Sequence, residues 1–174
     1  PIVFEDESKT VTAKDGASLR GDNFLLLAEE ITWDRSKGEA TATGDVCLTE
    51  GDTRILADKV HLLTQNGNYI AWNVTGGSPP KVFIAETMER NSSIETFSNA
   101  RFYMSEPSMF EPNLRTSRYS VDQNNSTFSI NYSQVRIGDV LIGVLPGFSS
   151  KKNAGFGPSS LFKIGEDSLL GWYG

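Results

Sequence analysis

The 174-residue sequence holds a single cysteine and a single histidine, and these scarcities remove several chemistries at once. Cys47 alone can close no disulfide within the chain and can build no cysteine-ligated zinc site. His61 alone offers no histidine pair for a metal, and no Ser-His-Asp grouping or phosphate loop accompanies it, so catalysis is not expected and no cofactor is implied. No apolar run reaches the roughly 18 residues of a membrane-spanning helix. The opening PIVFEDESK lacks the basic start and apolar core of a signal peptide, so an exported chain would have lost its signal ahead of Pro1. Positive charge is scarce too: a net charge of -6 without a basic stripe argues against a nucleic-acid partner, which must displace counterions from phosphate. Helical periodicity is nearly absent.

What is there describes a folded, all-β chain. Hydrophobic residues at 38% and aromatics at 10% exceed what disordered segments carry, and the length suits one domain, or one with a short appendage. Short runs rich in Val, Ile, Thr and Phe are bounded by turn candidates at KDG (14–16), RGDN (20–23), RSKG (35–38), EGD (50–52), QNGN (65–68), GGSPP (76–80), DQNN (122–125) and KKNAG (151–155).

The runs share an irregularity. In RILADKVHL the inward candidates are Ile55, Ala57, Val60 and Leu62, at offsets 0, 2, 5 and 7, so the period of 2 slips by one residue at its middle. Leu26, Ala28, Ile31 and Trp33 in LLLAEEITW repeat those offsets 29 residues earlier. Further echoes fall at Leu114, Thr116, Tyr119, Val121 and at Ile130, Tyr132, Val135, Ile137. One extra residue between two alternating runs is what a β-bulge or sharp corner supplies: the strand turns while its apolar side chains keep to one face. Glu29 and Asp58 occupy equivalent places in the slip, which assigns them to the corner rather than to catalysis. Corners repeated in successive hairpins fold antiparallel strands into two facing layers with an apolar slot between. Periodicity alone favours the plainer outcome, a β-sandwich whose interior is packed core.

The segment LLLAEEITWDRSKGEATATGDVCLTEGDTRILADKVHLL resembles the repeat of the OstA-like lipopolysaccharide-transport family, with its apolar-Ala-acid corner, Lys-Gly turn, GDV, EGDT and LADKV in order. IETFSNARFYM, LRTSRYSV and FSINYSQVRI look like the periplasmic portion of the family's outer-membrane assembly proteins. VRIGDVLIGVLPGFSS (135–150) is similar to the passage from that portion into the outer-membrane barrel. Two departures stand out. Leu141 occupies the place of an early proline, while Pro146 matches the later one. The cysteines that tie domain to barrel in well-known members are missing, so no redox-controlled assembly step is read for this chain.

The resemblance implies an open antiparallel β-jellyroll over residues 1–149, with 1–20 as an N-terminal extension, followed at 150–174 by a linker and the first strands of an outer-membrane β-barrel. It implies a periplasm-facing segment of an outer-membrane protein whose partners are lipopolysaccharide, a periplasmic OstA-like bridge protein stacked on an edge strand, and an outer-membrane lipoprotein. The docking edge would be the strand near 24–33, unless residues 1–20 cover it. Acyl chains would slide among Leu26, Ala28, Ile31, Trp33, Val46, Leu48, Ile55, Ala57, Val60 and Leu62, and Pro146 would mark a weakly paired seam for release. Two other readings stay open: a soluble bridge component of the same system, and a β-solenoid carbohydrate-binding module or lyase.

Overall fold

The computed structural model describes residues 2–78 and 80–151, apart from 6–8. Within these residues fifteen strands form one antiparallel sheet: β1 Ile2–Glu5, β2 Thr10–Ala13, β3 Ala17–Arg20, β4 Leu25–Ala28, β5 Glu30–Asp34, β6 Glu39–Glu50, β7 Thr53–Leu63, β8 Asn68–Ser78, β9 Lys81–Asn91, β10 Ile94–Tyr103, β11 Pro112–Asp122, β12 Thr127–Ile130, β13 Ser133–Ile137, β14 Val140–Leu145 and β15 Phe148–Lys151. No helix occurs among the described residues.

The pairing explains why the count is so high. β6 pairs through its first half with β5 and through its second half with β4. β5 continues to β2, and β4 to β3. At the other end β11 pairs through Tyr119–Asp122 with β12, which meets β15, and through Pro112–Thr116 with β13, which meets β14. Thus β2 and β3, β4 and β5, β12 and β13, and β14 and β15 are each one strand broken at a corner, and β6 to β11 are strands bent without a break. The sheet is therefore folded along a single line into two leaves. The first holds β1, β2, β5, β12, β15 and the halves of β6 to β11 that pair with them; the second holds β3, β4, β13, β14 and the other halves.

The fold line runs through Lys14–Gly16, Glu29, Gly44–Asp45, Asp58, Asn73, Glu86, Asn99, Ser117, Asn131–Tyr132 and Pro146–Gly147. Registers skip it consistently: Thr43 pairs with Lys59 and Val46 with Ala57, leaving Gly44, Asp45 and Asp58 out of the ladder. Asn73 and Glu86 fall between Trp72↔Thr87 and Val74↔Ala85. The chemistry along the line alternates. Strands running one way place a carboxylate there (Glu29, Asp58, Glu86); their neighbours place a residue in the left-handed region, Gly44 at φ 78°, Asp45 at 43°, Asn73 at 53° and Asn99 at 48°. Glycine and asparagine tolerate that region best. Acid and left-handed residue then bond across strands, Asn73 Nδ2 donating to Asp58 Oδ2 at 2.7 Å, Asn99 Nδ2 to Glu86 Oε2, and the Glu29 amide to the Gly44 carbonyl at 2.8 Å.

The bend expected in RILADKVHL is present, at Asp58, and the sequence also holds a copy unnoticed by its strongest apolar pattern: Phe83, Ala85, Met88 and Arg90 share the offsets. The last echo is corrected. Tyr132 and Ile137 are exposed, at 55% and 42%, and the inward set is Phe128, Ile130, Ser133 and Val135. There the corner falls after Ile130 rather than after Tyr132, which moves the inward set back by two residues. KDG is likewise a corner within the first bent strand, with the Gly16 amide on the Glu29 carbonyl, rather than a turn between hairpin strands. Residues 10–13 and 17–20 pair with β5 and β4, so they belong to the sheet and cover the edge expected near 24–33. Among the described residues the free edges are β1 and β3 at one end, β14 and β15 at the other. The expected barrel strands lie mostly within 152–174, outside the described residues.

Candidate functional site

The two leaves enclose one continuous apolar interior. Leu26, Val46, Leu48, Ile55, Val60 and Leu62 are at most 1% exposed; Ala28, Ile31 and Ala57 are also buried, and half-buried Trp33 packs against the same cluster. All ten residues singled out by sequence therefore share the inward face, while their neighbours Leu27 and Lys59 are exposed on the outer one. Alternation through the bulge achieves this: at each corner two consecutive residues point outward, so both halves of a strand present the same face to the interior.

The interior changes character along the sheet. Around β5 to β8 it is lined by small and branched side chains, among them Ala40, Ala42, Ala57, Ala71 and Val74. Around β9 to β12 it becomes an aromatic series, Phe83 edge-on to Phe97 at 5.0 Å, Phe102 against Tyr119 at 5.2 Å, and Tyr119 against Phe128 at 6.3 Å. Burial pushes the Tyr119 phenol up to about 12, with Glu95 adding to the effect, and raises Tyr69 further, since neither ring can ionise cheaply away from water.

Away from the fold line, where the strand tips part, the leaves open. A cavity of about 400 Å³ lies there between Ile55, Phe83 and Phe102 of the second leaf and Tyr69, Met88 and Phe97 of the first. That volume falls in the range of small-ligand pockets, roughly 300–1,000 Å³. A second cavity of about 400 Å³ lies beside it, bordered by Phe24, Leu48, Leu62 and the turn at Thr64–Gly67. Of the ten expected residues only Ile55, Leu48 and Leu62 reach these cavities; the others are packed between the leaves. Sequence reasoning stopped at Leu62 and so missed Tyr69, Phe83, Met88, Arg90 and Phe97, although the offsets of Phe83, Ala85, Met88 and Arg90 carried the signal.

The remaining sites are quickly placed. His61 is half-buried on the outer face, its Nδ1 3.2 Å from the Thr41 hydroxyl. Pro146 lies outside any strand: with Gly147 it forms the exposed corner between β14 and β15, so its missing N–H removes no rung from the ladder. No group of three or more potential metal ligands occurs among the described residues.

The geometry is that of an all-β folded sheet with an apolar interior and repeated acid corners. Comparison with known proteins gives it a family: the LptA/(LptD N-terminal domain) LPS transport protein family matches residues 26–129, from β4 to β12. The chain belongs to that family. Its members are components of lipopolysaccharide transport, which is not an enzymatic activity. Among solved structures, the crystal structure of LptH from Pseudomonas aeruginosa, described as the LptA-homologous periplasmic component of the lipopolysaccharide transport device, is 14% identical, covering 84% of this chain and 97% of its own at a TM-score of 0.43. A search of curated proteins returns no match. The matched span of this LPS transport family member takes in β6 to β11 whole, and with them both cavities' walls from Ile55 to Phe102.

Proposed function

We propose that this chain binds lipopolysaccharide by its acyl chains in the slot between the leaves, as the periplasmic N-terminal domain of an outer-membrane lipopolysaccharide-assembly protein. One observation carries the reading: the inward face is predominantly apolar along the bent strands, and the slot opens at the strand tips, where a polar head group can stay in water. Apolar contact is non-directional, so chains can slide along Leu26, Ala28, Ile31, Trp33, Val46, Leu48, Ile55, Ala57, Val60 and Leu62 without breaking hydrogen bonds. Each methylene moved from water into the slot contributes about 0.8 kcal/mol, so ten contribute about 8 kcal/mol toward prising the packed leaves apart.

The edge formed by β1 and β3 is the place for a periplasmic OstA-like bridge protein to add its own strand, since an edge offers unpaired N–H and C=O groups. Membrane proximity is supported by β14, where Val140, Leu141, Ile142 and Val144 are all at least half exposed. A continuous apolar edge strand of this kind suits the approach to a bilayer and to a barrel with its lipoprotein partner. Lipid release then belongs at the exposed corner of Pro146 and Gly147, next to that strand. The second reading, a soluble bridge component, is favoured by the free edges at both ends of the sheet, which head-to-tail stacking requires.

Photo-crosslinkers at Leu26, Ile55 and Val60 test the slot: they should capture lipopolysaccharide, and Leu27, Thr32 and Lys59 should not. Equal capture from both sets rejects the assignment. In cells of the source organism, the full-length protein should fractionate with the outer membrane; recovery in the soluble periplasm selects the bridge reading.

A further inference from the structure

Three charged side chains of the apolar inward face meet. Glu50 follows Val46 and Leu48 in the inward alternation of β6, Arg90 completes Phe83, Ala85 and Met88 on β9, and Glu95 precedes Phe97 on β10. Arg90 and Glu95 are opposite one another in the register of the first leaf, whereas Glu50 belongs to the second. The Arg90 guanidinium pairs with both carboxylates, and its bond to Glu50 crosses the slot from leaf to leaf. Arg90, Glu50 and Glu95 are only 23%, 30% and 15% exposed. Tyr69, on the other side of Arg90 in the register, places its ring 5.6 Å from the guanidinium.

The position of this crossing matters more than its existence. Glu50, Tyr69 and Arg90 border both 400 Å³ cavities, so the ion pair is the partition between them. Any chain-bearing ligand moving along the slot from the Leu48 and Leu62 side to the Phe83 and Phe97 side must pass it. An arginine paired twice has its full charge answered; for it to let go of Glu50 without loss, something else anionic must take that place. Phosphate fits the planar fork of the guanidinium at least as well as a carboxylate does.

We infer that the Glu50–Arg90 pair is a gate across the slot, opened when the anionic head group of a passing amphiphile replaces Glu50 on Arg90. This deepens the proposed function, resting on its slot, and adds a residue that reads the head group rather than the chains. Glu95 keeps Arg90 in place during the exchange, and Tyr69 supports it from beneath. Glu50 competes with the ligand, so the gate closes again once the head group moves on.

The test uses the full chain with bis-phosphorylated lipid A and with the same lipid dephosphorylated, measuring equilibrium affinity and association rate, with circular dichroism as the folding control. Glu50→Gln removes the competitor and should speed association of the phosphorylated lipid about fivefold to tenfold, the scale of one charge-assisted bond, with little change for the dephosphorylated one. Arg90→Gln should weaken the phosphorylated lipid about tenfold and abolish the preference, while Arg90→Lys should restore part of it. If Arg90→Gln does not fold, the Glu50→Gln arm decides alone. Equal effects on both lipids, or none on either, overturn the gate while leaving the slot intact. Failure of the parent protein to bind either lipid overturns the slot and the gate with it.

Discussion

Replacing Asn73 by valine sets two rules of β-structure against each other and so tests the fold line directly. Asn73 sits in the middle of β8, exposed, in a run where β-branched residues are ordinarily favoured by up to about 1 kcal/mol. If β8 were a straight strand, Asn73→Val would therefore be neutral or stabilising. The structure predicts the opposite sign. At φ 53° the backbone is left-handed, which costs a residue with a Cβ roughly 1–2 kcal/mol and is worst for a β-branched one. The bond from Asn73 Nδ2 to Asp58 Oδ2, 2.7 Å long, is also lost, a further contribution of about 1 kcal/mol at an exposed site. Asn73→Val should then destabilise by about 2–3 kcal/mol, lowering Tm by roughly 5–10 °C in a chain of this size. Asn73→Gly separates the two terms: it relieves the backbone, loses the bond and adds unfolded-state entropy, and should fall within about 1 kcal/mol of the parent. Urea unfolding at pH 7 measures both, with an unchanged m-value confirming that the folded state is the same. A valine variant as stable as the parent, or more so, refutes the left-handed corner and the account of the fold line built on it.

Ile55→Asp places a carboxylate on the inward face at a position 1% exposed, and either stability should fall by several kcal/mol or lipopolysaccharide affinity should drop; a folded variant that binds as the parent does refutes the slot. Gly76→Ala would bring its Cβ to 2.7 Å from Phe83 Cζ and 2.9 Å from the Arg54 carbonyl oxygen, the second of which is backbone, so denaturant melts should show a loss of about 1–3 kcal/mol. Tyr119 titrates at about 12 when folded against 10.0 in an unfolded chain, so the native state holds its proton longer; the stability it contributes is intact below pH 10 and lost as pH rises toward 12. Absorbance of phenolate during an alkaline titration should show that late step, and Tyr119→Phe should remove it. Trp33→Phe removes an indole N–H that is buried with no protein acceptor among the described residues, so the variant should unfold within about 1 kcal/mol of the parent, since no bond is given up.

Much of the scaffold was legible before any coordinates. The corner in RILADKVHL is a local event, one extra residue between two alternating runs, and local periodicity is what a sequence displays; hence the bends at Glu29 and Asp58 and the shared inward face of Leu26, Ile55 and Val60 could be read directly. Where the signal thinned, so did the reading. The run ending at Ile137 was placed two residues late because Tyr132 is apolar enough to mimic an inward residue, and Arg90 was passed over because a charge at an inward position breaks the pattern that reveals it. The tertiary structure alone decided what faces what across the slot. Glu50 and Arg90 lie 40 residues apart on different leaves, and nothing in either strand's own alternation says that folding the sheet along its corners will bring them together. It also decided which edges stay free, since residues 10–20 cover one candidate only by pairing with β4 and β5. Side-chain alternation is fixed by the neighbouring residues along the chain, and so is written in sequence; contact between leaves depends on where the fold line puts every strand at once, and that information belongs to no single segment.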